Sequence, residues 1–350
     1  MLYRKQTGYN EFKCIADKCP KSCCVGWQIV IDEDSIKKYT MTECNFSDRL
    51  KASIDYSQDC FKQHNARCAM LNDNGLCDLQ ATLGEEYLCT TCKMFPRHIE
   101  EFQDIREYSL SLSCPEVTRM LMESDYEFNI AENEDLAHDE PHEFEDFDFI
   151  LYDKLEFARD KMLKVATEKT LPLQERMNII ACMSLKLQEL YDDGDIFEMD
   201  NVNADGVFNA SGTSAMLSLD SCISGLDTLI EMEVLEDSWS DSIKKAKAFW
   251  MENTTSFTLW KSTMYPGAQQ EFIFEKILES LLYTYFCGAV YDGQIYARTM
   301  IAVQSTRWLM MLNTASPNTS LNQTIYLYSR EVEHSDLNIN RLIEYFESEL

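Results

Sequence analysis

Cys14-Ile15-Ala16-Asp17-Lys18-Cys19-Pro20-Lys21-Ser22-Cys23-Cys24-Val25-Gly26-Trp27 places four thiols within eleven residues. A second group follows at Cys68, Cys77, Cys89, Cys92 and Cys114, and beyond it only Cys182, Cys222 and Cys287 remain. Thiolates a few residues apart reach one centre without long loop closures, and their softness selects zinc, copper(I) or iron-sulfur centres over magnesium or calcium. The N-terminal third is therefore expected to be a loop-rich module organised by a metal.

Disulfides are the rival use of so many cysteines. The first ten residues, Met-Leu-Tyr-Arg-Lys-Gln-Thr-Gly-Tyr-Asn, show no apolar leader or small-residue cleavage site, so a cytoplasmic location is expected, where thiols stay reduced. A chain of 350 residues that is 45% hydrophobic also builds its core without covalent staples. The vicinal pair Cys23-Cys24 is awkward for two independent bridges, and this too favours metal.

The formal charge of -29 argues against a nucleic-acid partner, which needs a basic footprint. No apolar run is long enough to insert into a membrane. The length suggests a cysteine-rich metal domain over residues 1–122, an acidic linker or flap over 123–149, and an α-helical domain over 150–350. The middle segment carries twelve Asp and Glu and no Lys or Arg, with Tyr126, Phe128, Phe144, Phe147 and Phe149 interleaved. Docking of a basic partner is its functional alternative.

Inside the module, alternation through Trp27, Ile29 and Ile31 predicts a short strand, and Asp34 to Tyr39 begins a helix. Pro115 with Val117, Met120 and Leu121 predicts another helix, whose first turn carries Cys114. Beyond residue 150, Leu151, Leu155, Ala158, Met162 and Val165 recur at helical spacing, as do Leu173, Met177, Ile180, Ser184 and Leu187. Further helices are expected over 215–235, 240–252, 268–290, 294–312 and 336–349, with a long loop over 192–214. The fold class is thus mainly α: a small loop-rich cysteine domain followed by an irregular helical one.

Nine clustered thiols exceed one tetrahedral zinc or one [4Fe-4S] cube, each of which takes at most four. Either two centres share Cys14, Cys19, Cys23, Cys24, Cys68, Cys77, Cys89, Cys92 and Cys114, or one centre is ringed by spare thiols. Cys19-Pro20 and Cys114-Pro115 have the cysteine-proline step common in iron-sulfur ligation. Zinc remains the alternative metal.

Several of these stretches resemble the flagellin lysine-N-methylases: Cys23-Cys24-Val25-Gly26-Trp27, Gly75-Leu76-Cys77-Asp78-Leu79-Gln80, Leu88-Cys89-Thr90-Thr91-Cys92, Phe95-Pro96-Arg97 and Ser113-Cys114-Pro115-Glu116. A more distant resemblance is to the zinc- or iron-chelating cysteine-cluster family, whose shared core would be Cys19, Cys23, Cys24, Cys68, Cys77 and Cys92. Towards the C-terminus the likeness thins to Phe274-Glu275 with Tyr283, Tyr296-Ala297, and Ser329-Arg330-Glu331-Val332-Glu333-His334-Ser335. The resemblance implies transfer of a methyl group from S-adenosylmethionine to lysine amines of flagellin, by a protein carrying an iron-sulfur cluster. A non-catalytic metal-binding or redox module, or a metal-delivery protein, is the alternative.

No G-x-G-x-x-G loop follows a strand, so the usual doubly wound nucleotide site is absent, and the methyl donor is expected beside the cysteine module. Trp27, Arg97 and Arg119 are the candidates for holding it. Methyl transfer needs a neutral amine, and deprotonating a solvated lysine at neutral pH costs about 4 kcal/mol. Asp32, Tyr87, Tyr108 and Glu116 are the candidate proton acceptors near the module. Histidines 64, 98, 138, 142 and 334 show no paired metal spacing and read as surface residues, His98 being the one further candidate ligand.

Overall fold

The computed structural model describes every residue except 124, 135–146, 209–217 and 237, and of Glu134 and Phe208 only the backbone. His138, His142 and Phe144 lie outside the described residues. The protein is mainly α, with short strands and loops concentrated in its N-terminal region.

The long helices form where apolar residues recur on one face. Phe149–Ala166 starts at Asp148, whose side chain accepts from the Leu151 N–H, and Leu173–Asp192 starts directly after Pro172. The later expected helices appear as Leu219–Ile230, Trp239–Glu252, Ala268–Tyr285, Ile295–Ala315 and Asp336–Glu347. Ile295–Ala315 is buried along almost its whole length and is the central helix, packed by Leu173–Asp192, Ala268–Tyr285 and Asp336–Glu347. Two helices lacked a clear sequence signal: Phe257–Met264 and Leu321–Glu333. The expected 192–214 loop contains a 3-10 turn, Ile196–Asn201, and a short helix, Ala204–Phe208.

A four-stranded sheet lies against this bundle in the order Arg97–Phe102, Ile105–Leu110, Leu2–Gln6, Ile130–Glu134. Leu2–Gln6 runs parallel to Ile105–Leu110 and antiparallel to Ile130–Glu134, so part of the acidic segment is a sheet strand. The sheet presents charge inward: Arg159, 1% exposed, clasps Glu107 through two hydrogen bonds, and Arg4 joins Glu107 and the Tyr152 hydroxyl. Tyr283 closes the set by donating to the Arg4 carbonyl at 3.3 Å. Such a desolvated pair persists only when its remaining atoms find partners, as most do here.

Two hydrophobic cores result. One gathers Ile29, Ile31, Tyr39, Leu50, Phe61, Met70 and Leu79 inside the thiol module. The other takes in the helices together with Tyr9, Phe12, Phe102, Leu110, Leu112 and Cys114. The stretch Trp27 to Ile31 alternates in burial, with Ile29 and Ile31 inside and Val30 outside, but it makes only an isolated bridge from Val30 to Cys60 rather than a strand. The two predicted module helices are Glu33–Met41 and Pro115–Leu121.

Candidate functional site

The nine thiols fall into two neighbourhoods joined at Cys23-Cys24. Cys24 interacts electrostatically with Cys68, Cys77 and Cys92, and Cys89 hydrogen-bonds to Cys92. Cys23 faces Cys14 and Cys114, and Cys114 in turn feels Cys19 and Cys14. Cys23 and Cys24 hydrogen-bond to each other and both act on Cys92, so the vicinal step links the two groups.

Within each close pair one thiol is acidified at the other's expense. A hydrogen bond from Cys23, helped by Ser22 and by the positive charges of Arg330 and Arg67, lowers Cys24 to about 7. Cys89 is lowered by its bond from Cys92, while Cys23 and Cys92 are raised. Burial pushes Cys68 up to about 12 and Cys114 to about 11. Among the described residues no three Cys, His, Asp or Glu side chains form a ready-made coordination group. The thiols are neighbours rather than a closed shell, and their donor chemistry suits a soft metal, which binds the thiolate form.

The remaining candidates scatter. Asp32 caps Glu33–Met41 by accepting from Ser35, and it also accepts from the Thr90 N–H at 2.8 Å, which holds its carboxylate well below the usual range. Tyr87 lies under the Lys38 ammonium, 4.0 Å from ring centre to nitrogen, and Tyr108 packs among Tyr3, Tyr9 and Lys5. Glu116 and Arg119 pair with each other on one helix, and Arg119 also pairs with Glu123. Arg97 covers the rings of Tyr9 and Phe12. His98 accepts or donates at 2.7 Å to Glu100, and His64 is exposed on a two-residue strand. Of these side chains, Asp32 lies close enough to Cys89, and Glu116 to Cys19, to disfavour those thiolates, so these two stand beside the thiol groups.

Trp27 does meet a partner there, and the partner is a residue read as surface. His334 stacks on Trp27 with ring centroids 5.2 Å apart and planes 9° from parallel, and Phe95 packs against both. Trp27 is fixed by donating its indole N–H to the Cys23 carbonyl at 2.5 Å. His334 belongs to the C-terminal end of Leu321–Glu333, and that end forms a seam with the thiol module. Arg330 donates to the Val25 carbonyl at 2.6 Å and the Ser22 carbonyl at 3.4 Å. Glu333 accepts from Ser111 and Tyr285, and Lys21 pairs with Glu236 at 2.5 Å. Gly26, at φ +95°, makes the approach feasible: a Cβ there would lie 3.3 Å from the Leu235 carbonyl.

This seam is buried yet incompletely paired. Arg330 Nη1, Glu331 Oε1, Glu333 Oε1 and His334 Nε2 are buried with no hydrogen-bond partner among the described residues. Each such atom costs about 1–3 kcal/mol when it meets no partner, so this stretch has the capacity to bind a further polar group or water. Desolvation, reinforced by Arg330, lowers His334 to about 4, so the ring is neutral; desolvation raises Glu331 to about 7. The sequence carries no signal for Glu236, and His334 reads there as a surface residue; for Arg330, Glu331 and His334 the one signal is the Ser329-to-Ser335 stretch within the resemblance.

Fold and site together define a helical protein clasping a thiol-rich module through a buried, polar, partly unsatisfied seam. The chain belongs to the FliB lysine N-methylase C-terminal domain family, whose model matches residues 159–350. It is 31% identical over 122 residues to the flagellar biosynthetic protein FliU of Salmonella muenchen, a match covering 32% of this chain and 72% of that protein. It is 32% identical over 122 residues to the lysine-N-methylase of Salmonella typhimurium, and equally to that of Salmonella choleraesuis. Those two matches cover 32% of this chain and 30% of each methylase, so the chain aligns with under a third of their length. No solved structure matches. No helix among the described residues is long and apolar enough to cross a membrane.

Proposed function

We propose that the protein methylates lysine side-chain amines, taking the methyl group from S-adenosylmethionine, with flagellin as substrate and an iron-sulfur centre in the thiol module. Family membership, with relatives named lysine-N-methylase and FliU, is the observation that carries this reading. Cys24, Cys68, Cys77, Cys89 and Cys92 are the residues that would hold a centre on one side, and Cys14, Cys19, Cys23 and Cys114 on the other. When bound, the centre would supply a Lewis-acidic iron beside the donor's amino and carboxylate groups.

The chain's own part is orientation and desolvation. The neutral amine attacks the sulfonium methyl carbon, the N–C bond forms as the C–S bond breaks, and the bonding pair stays on sulfur. The resulting methylammonium then carries the proton balance. The rings of Trp27, His334 and Phe95 pack on one another beside a pocket of about 10 Å³, so they would have to part to set a π face against a sulfonium cation, a contact worth roughly 0.5–2 kcal/mol.

Anaerobically purified protein incubated with labelled S-adenosylmethionine and flagellin tests the reading. Incorporation of label into lysine, with about four irons and four sulfides per centre, is the expected result. An intact centre without label would instead favour a non-catalytic metal module, and zinc alone would replace iron as the metal.

A further inference from the structure

A cleft of about 180 Å³ opens on the far side of Glu331 from the thiol module, between the Trp239–Glu252 helix, the end of Ile295–Ala315 and the Leu321–Glu333 helix. Its walls include Trp239, Ile243, Leu312 and Leu327, with Glu236 and Glu331 at one end. The same two carboxylates line a smaller pocket with Gly26, Trp27, Arg330 and His334 on the module side. Glu331 therefore stands between two spaces, one apolar and open, the other against the thiol module.

We propose that this cleft admits the substrate's lysine side chain, and that Glu331 binds its ammonium and accepts the proton that must leave before methyl transfer. The proposal rests on the methyl-transfer reading above. Size decides between occupants: drug-sized ligands fill roughly 300–1,000 Å³, so a cleft of about 180 Å³ takes an aliphatic side chain rather than a whole S-adenosylmethionine. Trp239, Ile243, Leu312 and Leu327 give the stem of a butylammonium group an apolar surface, hydroxyls such as Ser242 and Thr324 are interspersed among them, and the carboxylates of Glu236 and Glu331 suit its charged tip.

Glu331 is also the carboxylate with capacity left. It is 1% exposed; its Oε2 accepts from the Leu235 N–H at 2.9 Å, and its Oε1 has no partner among the described residues. Glu236 is already occupied by Lys21. The charged and titratable groups facing Glu331 are Arg330, Glu236 with its Lys21, and His334 across the smaller pocket. With its proton affinity raised by burial, Glu331 is a better acceptor for a lysine proton than a solvated carboxylate. In the balanced step the lysine ammonium gives one proton to Glu331, and the freed nitrogen pair attacks the methyl carbon. The C–S pair returns to sulfur, and Glu331 releases its proton to solvent.

Glu331→Gln keeps shape and hydrogen-bond acceptor but cannot take the proton. Leu327→Trp fills the cleft one helical turn from Glu331 while keeping its carboxylate. With the metal-loaded full chain, S-adenosylmethionine and flagellin, Glu331→Gln is expected to lower kcat by about 10²–10⁴-fold; both variants should keep the wild-type helical circular dichroism and a cooperative unfolding transition, and Leu327→Trp should raise KM for flagellin at least tenfold. Calorimetric titration of the same proteins with n-butylammonium chloride is expected to show binding to the wild type, weakened at least tenfold in both variants. A wild type that methylates while Glu331→Gln turns over undiminished overturns the assignment. A wild type that transfers no methyl group, yet binds n-butylammonium through Glu331, refutes the functional reading and leaves the ammonium site standing; absence of butylammonium binding overturns the site itself.

Discussion

At the scale of single residues, the seam depends on Gly26. Its φ of +95° disfavours any residue with a Cβ, and the added carbon would press on the Leu235 carbonyl 3.3 Å away. Gly26→Ala is therefore expected to lower stability by about 1–3 kcal/mol, and to loosen the module before the helical domain. Limited proteolysis alongside thermal unfolding would show this as earlier cleavage within residues 14–92; an unchanged pattern and midpoint would mean that the close approach is not needed. The cysteines of this region were legible because thiols are rare and their spacing carries meaning. Glu331 and His334 were not, since a lone glutamate or histidine has many ordinary uses, and only the packing of Trp27 on His334 and the unpartnered Glu331 Oε1 distinguish them.

At the scale of elements, the helices that sequence revealed are those with a long recurring apolar row, such as Leu151, Leu155, Ala158 and Met162 of Phe149–Ala166, even where a charged residue such as Arg159 is buried beside it. In Leu321–Glu333 the apolar row is short, Leu321, Ile325, Tyr328 and Val332, and the buried Thr324, Ser329, Arg330 and Glu331 surround it. The helix that carries the site was thus hidden by the shortness of its apolar row. Helix packing offers a direct check at Gly225, where Leu219–Ile230 crosses the central helix: a Cβ would sit 2.5 Å from the Trp308 ring. That indole cannot retreat easily, being buried and donating to the Cys222 carbonyl at 3.1 Å. Overpacking costs typically about 1–3 kcal/mol, against a helix-propensity gain of at most about 1 kcal/mol. Gly225→Ala should accordingly lower the unfolding midpoint in urea, although alanine is the better helix former; a raised midpoint would show that the Trp308 wall yields.

For the molecule as a whole, buried carboxyl groups set how stability depends on pH. Burial raises Glu331 and Glu279 to about 7 from the 4.5 they have when unfolded, and it raises Glu333 and Glu156 as well. Between those values the folded state holds protons that the unfolded state has released, so stability falls as pH rises. The contribution of these groups is fully present below about 4.5 and is lost as pH climbs through 7. Asp32, Glu275 and His334 act in the opposite sense: the two carboxyls are lowered in the fold and lose their contribution as acid protonates them, and His334, lowered to about 4 from 6.5, adds stability as pH rises to about 6.5, offsetting part of the decline. The formal charge of -29 adds self-repulsion as the last carboxyls ionise. Stability is therefore expected to peak near about pH 5 and to decline towards pH 8, at constant metal content. Thermal midpoints measured across that range should fall with pH, and Glu331→Gln with Glu279→Gln should flatten the slope by removing two of the groups that cause it. A midpoint that rises from pH 5 to 8 in the wild type would mean that these carboxylates find partners in solution that stabilise their charge, and that the seam is not the dry, underpaired surface its geometry describes.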